Sequence, residues 1–265
     1  MSIFKRHNIN VLGTGEKTIV FAHGYGCDQI MWRFVVPEFQ QKYKIVLFDH
    51  VGAGKSDLSS YSRKKYETLS GYADDILEIV EAVSTGPVIF VGHSVSSMIG
   101  LLAAIKKPQA FDRLIMVAPT PCYINNGDYV GGFDRSDIDG LLQTLDANHL
   151  GWSKAMAPVI MKNESNPELA NELEESFCRT DPEIAKHFAR VTFLSDNRAD
   201  LSSLKVPSLI LQCSDDSIAP IAVGDYLHSH LAGSILVKMN AVGHCPHLSA
   251  PVETVQAIKD YLQSQ

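Results

Sequence analysis

Residues 88–98 read Val-Ile-Phe-Val-Gly-His-Ser-Val-Ser-Ser-Met. The four apolar residues Val88 to Val91 suit a strand buried on both faces. Beyond Gly92-His93-Ser94, the apolar positions Val95, Met98, Ile99, Leu101, Leu102 and Ile105 predict a helix that stops at Pro108. A serine on a tight strand-to-helix turn is lifted above its sheet. The helix N-terminus behind it offers free amide hydrogens and a positive dipole end to a developing oxyanion. Such an elbow reads G-x-S-x-G. Here the second glycine is replaced by Ser96, which is still small enough for close backbone approach.

Short apolar strands alternate with helical stretches on either side. Thr18–Ala22, Lys44–Asp49, Val88–Val91, Arg113–Val117, Ser208–Cys213 and Ser234–Met239 read as strands. Gln29–Gln41, Leu69–Val83, Val95–Lys107, Ala219–Leu231 and Val252–Gln263 read as helices. The alternation predicts an α/β fold whose mostly parallel central sheet is flanked by helices. A hairpin is expected around Gly13-Thr14-Gly15, ahead of the first parallel strand. From Pro119 to about Asp196 the rhythm breaks, and helices are predicted at Ser136–Ala147, Gly151–Met161, Pro167–Thr180 and Pro182–Leu194. Asn166-Pro167 and Asp181-Pro182 are helix starts with proline at the first helical position. This stretch is expected to be a four-helix lid inserted after the sixth strand, over the sheet edge where open α/β sheets bind ligands. The division is then core 1–120, lid 121–195 and core 196–265.

Composition narrows the function. A chain of 265 residues, 45% hydrophobic and 20% charged, has ample material for a buried core. Its net charge of −7 argues against nucleic acid or an anionic membrane as the main partner. No apolar run approaches the roughly 18 residues of a membrane span. The N-terminus lacks the apolar core of a secretion signal. Five scattered cysteines without a C-x-x-C pair suit a reducing cytoplasm.

A serine nucleophile needs a base, and the base needs an orienting acid. Candidates follow two late strands: Ser214-Asp215-Asp216 after Leu209–Cys213, and Asn240-Ala241-Val242-Gly243-His244 after Ser234–Met239. Ser94, then an aspartate, then His244 is the chain order of an α/β-hydrolase. Adjacent loop side chains diverge, so only one of Asp215 and Asp216 can face His244. The oxyanion amides are expected from Val95 and, in the loop His23-Gly24-Tyr25-Gly26, from Tyr25. The elbow should turn His93 away from the serine as a structural residue, although it remains a candidate for the pocket wall. His228 and His230 fall on a surface helix. His244-Cys245-Pro246-His247 has the look of a metal pair, but no H-E-x-x-H or C-x-x-C supports zinc, and His247 is expected to pack at the start of the last helix. Gly52-Ala53-Gly54-Lys55-Ser56 fails as a phosphate loop because position 49 is Asp49, and Gly13-Thr14-Gly15 lacks the setting of a dinucleotide site. No cofactor is indicated.

These residues resemble the α/β-hydrolase superfamily over the full length. More narrowly they are similar to the RsbQ-like subfamily, which groups a bacterial stress sigma-factor regulator with the plant strigolactone and karrikin receptors. The carrying segments are His23–Gln29 with Trp32, Phe48–Gly54 with Ser56-Asp57, and Gly92–Gly100. Pro121–Asn125, Tyr129–Phe133, Asp216 four before Pro220, and Gly243–Ser249 continue the series. The resemblance implies Asp216 as the triad acid. It also implies a small apolar cavity under the lid, with Tyr25, Tyr123, Phe133, Trp152 and Phe193 at its wall, to which Ile218 is added. Position 25 departs from the pattern, since phenylalanine is common there. The implied activity is hydrolysis of an ester or lactone of a small apolar molecule. The implied setting is signalling with a protein partner such as a PAS-domain phosphatase. A general metabolic carboxylesterase, or a receptor with slow turnover, would use the same triad.

Overall fold

The computed structural model describes residues 1–264. Strand β1 (Asn10–Leu12) follows the one-turn helix α1 (Ile3–Arg6), and β2 (Thr18–Ala22) and β3 (Lys44–Leu47) come next. Helix α2 (Leu69–Val83), β4 (Val88–His93), α3 (Val95–Lys106) and β5 (Phe111–Val117) complete the first half. Four helices then follow without a strand: α4 (Arg135–Ala147), α5 (His149–Met161), α6 (Glu168–Arg179) and α7 (Pro182–Phe193). The chain ends with β6 (Ser208–Gln212), α8 (Ile221–His230), β7 (Ile235–Lys238), α9 (Pro246–Ser249) and α10 (Pro251–Gln263).

The seven strands form one sheet in the order β1-β3-β2-β4-β5-β6-β7, parallel except for β1. The alternation of side chains divides its core in two. Val20, Val46 and Phe90 face α2, α3 and α8, whereas Ile19, Phe21, Ile89 and Val91 face α10 and Trp32. Burial on both faces is why these strands read as unbroken apolar runs. A third cluster lies above the strand C-termini. There, α4–α7 pack together through residues such as Ile138, Trp152, Leu173 and Phe193, and meet Cys27, Ile218 and Cys245 of the loops below. Among the described residues no helix is long and apolar enough to cross a membrane.

Three expectations are corrected. The segment around Gly13 is not a hairpin, because β1 pairs antiparallel with β3, Asn10 opposite Leu47. The glycines serve close approach: a Cβ on Gly13 would lie 2.4 Å from the Tyr43 carbonyl oxygen, and one on Gly15 would lie 2.1 Å from that of Lys42. With the hairpin gone, the helical insertion follows the fifth strand rather than the sixth. Residues 29–41 form two 3-10 turns, Gln29–Trp32 and Val36–Glu38, instead of one helix. Pro37 offers no amide hydrogen and would clash with the preceding turn of an α-helix. Elsewhere the predicted helices stand within about two residues, and Asp181 caps α7 by accepting from the Glu183 and Ile184 amides.

Helix α3 lies close on β4 because Gly100 meets the Phe90 ring, where an added Cβ would come within 2.3 Å. Gly100→Ala should therefore lower the unfolding free energy by about 1–3 kcal/mol through overpacking. The check is a lower denaturant midpoint with an unchanged slope.

Candidate active site

Ser94 sits at φ 55°, ψ −122°, directly before α3. Few non-glycine residues adopt this backbone conformation, and its neighbours hold it in place. The Ser94 amide donates to the Val117 carbonyl at 2.8 Å, pinning the turn to β5. The Ser97 hydroxyl donates back to the Gly92 carbonyl at 2.8 Å. Gly92 must be glycine, since a Cβ there would lie 2.6 Å from the Ser96 carbonyl oxygen. Ser96 does more than stay small. Its hydroxyl donates to the His23 carbonyl at 2.5 Å and accepts from His50 Nε2 at 2.8 Å. The His50 amide in turn donates to His23 Nε2 at 3.1 Å. The serine at the second glycine position thus ties the elbow to the loop after β2.

His244 Nε2 accepts from the Ser94 hydroxyl at 2.7 Å, and His244 Nδ1 donates to Asp216 Oδ2 at 2.7 Å. The other carboxylate oxygen of Asp216 accepts from the Ile218 and Ala219 amides at 2.8 and 3.1 Å. Three donors therefore hold this buried carboxylate in one orientation. Asp215 points to solvent and pairs with Lys162 at 2.6 Å. The loops carrying the acid and the histidine run on as a parallel pair beyond β6 and β7. The Ser214 amide donates to the Ala241 carbonyl, and the Gly243 amide to that of Asp215, each at 2.9 Å. Helix α5 also reaches this loop: the His244 amide donates to the Ile160 carbonyl at 2.9 Å. Gly243, at φ 84°, lies so close to α5 that a Cβ would fall 2.0 Å from the Met161 carbonyl oxygen. The amides of Val95 and Tyr25 have no acceptor among the described residues. Serine, imidazole, carboxylate and two free amides can together support attack on a carbonyl and hold the resulting oxyanion.

The space above Ser94 is a cavity of about 30 Å³. Of the residues predicted for its wall, Tyr25, His93, Tyr123, Phe193 and Ile218 line it. Trp152 and Phe133 do not. Trp152 stands behind the lining, edge-on to Tyr25 with centroids 6.1 Å apart. Half-buried Phe133 is held by backbone pairing with Tyr123 and Asn125. Sequence reasoning missed Cys27, Ile160, Leu173, Phe177, Thr192 and Cys245. Leu169, Leu173 and Phe177 recur every fourth residue along α6, a signal that could have named two of them.

A match to the model described as "Alpha/beta hydrolase family" spans residues 19–257. The chain belongs to the alpha/beta hydrolase family. A hydrolase from Oleispira antarctica has 42% identity and a TM-score of 0.97, with 100% of this chain and 97% of that one covered. The karrikin insensitive 2 receptor CA of Petunia hybrida is 39% identical, over 92% of this chain and 91% of its own length. The strigolactone esterase D14 of Arabidopsis thaliana is 35% identical over 97% of each.

Behind the hydrogen-bonded Ser94, His244 and Asp216 lies a group of buried histidines. His93 does not simply turn away: Nε2 donates to the His244 carbonyl at 2.8 Å while its ring walls the cavity. His247 occupies the separate short helix α9 rather than the start of the last helix, because the chain bends between Pro246 and Pro251. Its ring packs between those of Trp32 and His93, tilted to both, with centroids 4.6 and 4.4 Å away. Burial lowers its pKa from 6.5 to about 3. Burial also holds His50 and His93 well below 6.5, so all three are neutral near pH 7. His228 and His230 are exposed on α8.

Two consequences are measurable. Ser96→Ala leaves the His23 carbonyl and His50 Nε2 unpaired in the interior, and should cost about 1–3 kcal/mol of stability in chemical denaturation. Because burial depresses the histidine pKa values, the unfolded chain binds more protons below pH 6.5, and stability falls as pH drops. In His247→Asn the dependence of stability on pH between 6 and 4 should flatten by about 1.4 kcal/mol per pH unit, one proton's worth. An unchanged slope would show that His247 is not buried neutral.

Proposed function

We propose that this hydrolase cleaves an ester or lactone of a small, largely apolar molecule, with Ser94, His244 and Asp216 as its triad. The continuous hydrogen-bonded chain from Asp216 to Ser94 beneath an apolar cavity carries this reading. The Ser94 oxygen attacks the carbonyl carbon while His244 Nε2 takes its proton, and Asp216 steadies the imidazolium. The carbonyl electron pair moves onto oxygen, which the Tyr25 and Val95 amides stabilise. His244 then protonates the departing alkoxide. Water, activated by the same imidazole, releases the acyl group from Ser94. In a lactone the departing hydroxyl stays tethered to the acyl group, so one product leaves in place of two.

A second reading is that turnover serves a signal. The small, largely apolar cavity beneath the lid helices favours a protein that traps its ligand and turns it over slowly. The plant relatives named as receptors, and the RsbQ-like resemblance, support a role with a protein partner, for which a PAS-domain phosphatase is the expectation. Co-purification of such a phosphatase from cell extract would support it. Rapid turnover of many simple esters would favour a metabolic esterase instead.

Ser94→Ala should lower turnover of a short-chain nitrophenyl ester by about 10⁴-fold or more while leaving the fold intact. Mass spectrometry of the wild-type protein exposed to a lactone panel should find the acyl adduct on Ser94. Undiminished turnover in Ser94→Ala would overturn the assignment.

A further inference from the structure

We infer that Tyr25 and Ser176 form a clamp through which the seating of helices α6 and α7 sets the geometry of the oxyanion loop, an inference that rests on the triad and oxyanion roles proposed above. The loop after β2 is fixed at its start by the Ser96 and His50 bonds to His23. Beyond His23 come two glycines in three residues. The Gly24 carbonyl, which shares a planar peptide unit with the Tyr25 amide, accepts from the Cys27 amide at 3.3 Å and from His23 Nδ1 at 2.9 Å, so the loop itself fixes part of that amide's direction. The following residues are held from above. The Tyr25 hydroxyl donates to the Ala185 carbonyl of α7 at 3.1 Å. The Ser176 hydroxyl of α6 donates to the Gly26 carbonyl at 2.8 Å. Gly26, at φ 67°, has no room for a side chain, because a Cβ would meet the Phe177 ring at 2.2 Å. Two helices thus grip consecutive residues of the loop that bears the oxyanion amide.

The cavity makes this grip part of the reaction cycle. At about 30 Å³ the cavity is far smaller than the roughly 300 Å³ or more of an ordinary ligand pocket, so seating an ester calls for the covering helices to shift. Shifting α6 or α7 strains or breaks the clamp, and reseating them restores it. Closure over the substrate and assembly of the oxyanion hole then become one event. Tyr25 and Ser176 act here as positioning residues through their hydroxyls.

The test uses the full chain with Tyr25→Phe, Ser176→Ala and Ser176→Thr, each checked for wild-type circular dichroism. With a short nitrophenyl ester, Tyr25→Phe and Ser176→Ala should each lower kcat about fivefold, the factor corresponding to one neutral hydrogen bond. KM should stay within about twofold, and Ser176→Thr should restore kcat, since these bonds act on the transition state. A trifluoromethyl ketone gives a second readout. Ser94 Oγ bonds to its carbonyl carbon, the carbonyl pair moves onto oxygen, and His244 takes the serine proton. Its affinity should fall by the same factor as kcat/KM, while an unreactive methylene analogue binds unchanged. Unaltered kcat and ketone affinity, or a rise in KM alone, would overturn the clamp. Because the two variants act on different helices, either carries the test if the other fails to fold. If Ser94→Ala abolishes turnover and Tyr25→Phe changes nothing, the clamp fails and the triad stands. If Ser94→Ala retains turnover, the triad reading itself fails.

Discussion

At Ser94 the chain passes from strand to helix at φ 55°, a conformation that costs an L-residue on the order of 1–3 kcal/mol. Much of the surrounding structure holds that turn. Gly92 leaves the helix room to approach, and Val117 accepts the serine amide. Ser97 and Ser96 fasten the turn on its two sides. Buried strands on either side make the support stiff, because a close-packed sheet cannot relax locally without disturbing its neighbours. Strain at one residue is thereby borne by the whole parallel sheet. What results is a hydroxyl held above the sheet at the floor of the cavity, within 2.7 Å of an imidazole.

The sheet and most helices were legible in the residues because burial on both faces writes unbroken apolar runs, and proline writes boundaries. The exceptions share a cause. Gly13 and Gly15 read as a turn, whereas their purpose is contact with residues 42 and 43, distant in sequence. Residues 29–41 carry apolar spacing compatible with a helix, and Pro37 alone forbids it. Patterns report the local period, while register and close approach depend on a partner that the pattern does not contain.

That Ser94, Asp216 and His244 would come together was legible for a similar reason: strand ends are easy to locate, and the proposed chemistry demands serine, acid and histidine in that order. Choosing Asp216 over Asp215 needed resemblance, and the geometry explains it, because the Ile218 and Ala219 amides turn only Asp216 inward. The cavity wall was read less well. Which face of α5, α6 or α7 looks at Ser94 depends on how the helices cross. Phe177 therefore lines the space while Trp152, equally aromatic and equally buried, stands behind it.

Helix α5 ends against the loop that carries His244, accepting its amide through Ile160 and leaving Gly243 no space for a side chain. The four-helix insertion is consequently not a separable module. Grafting a short linker across it, to make a minimal open scaffold or to transplant the triad, would remove part of the histidine's own mounting along with the roof.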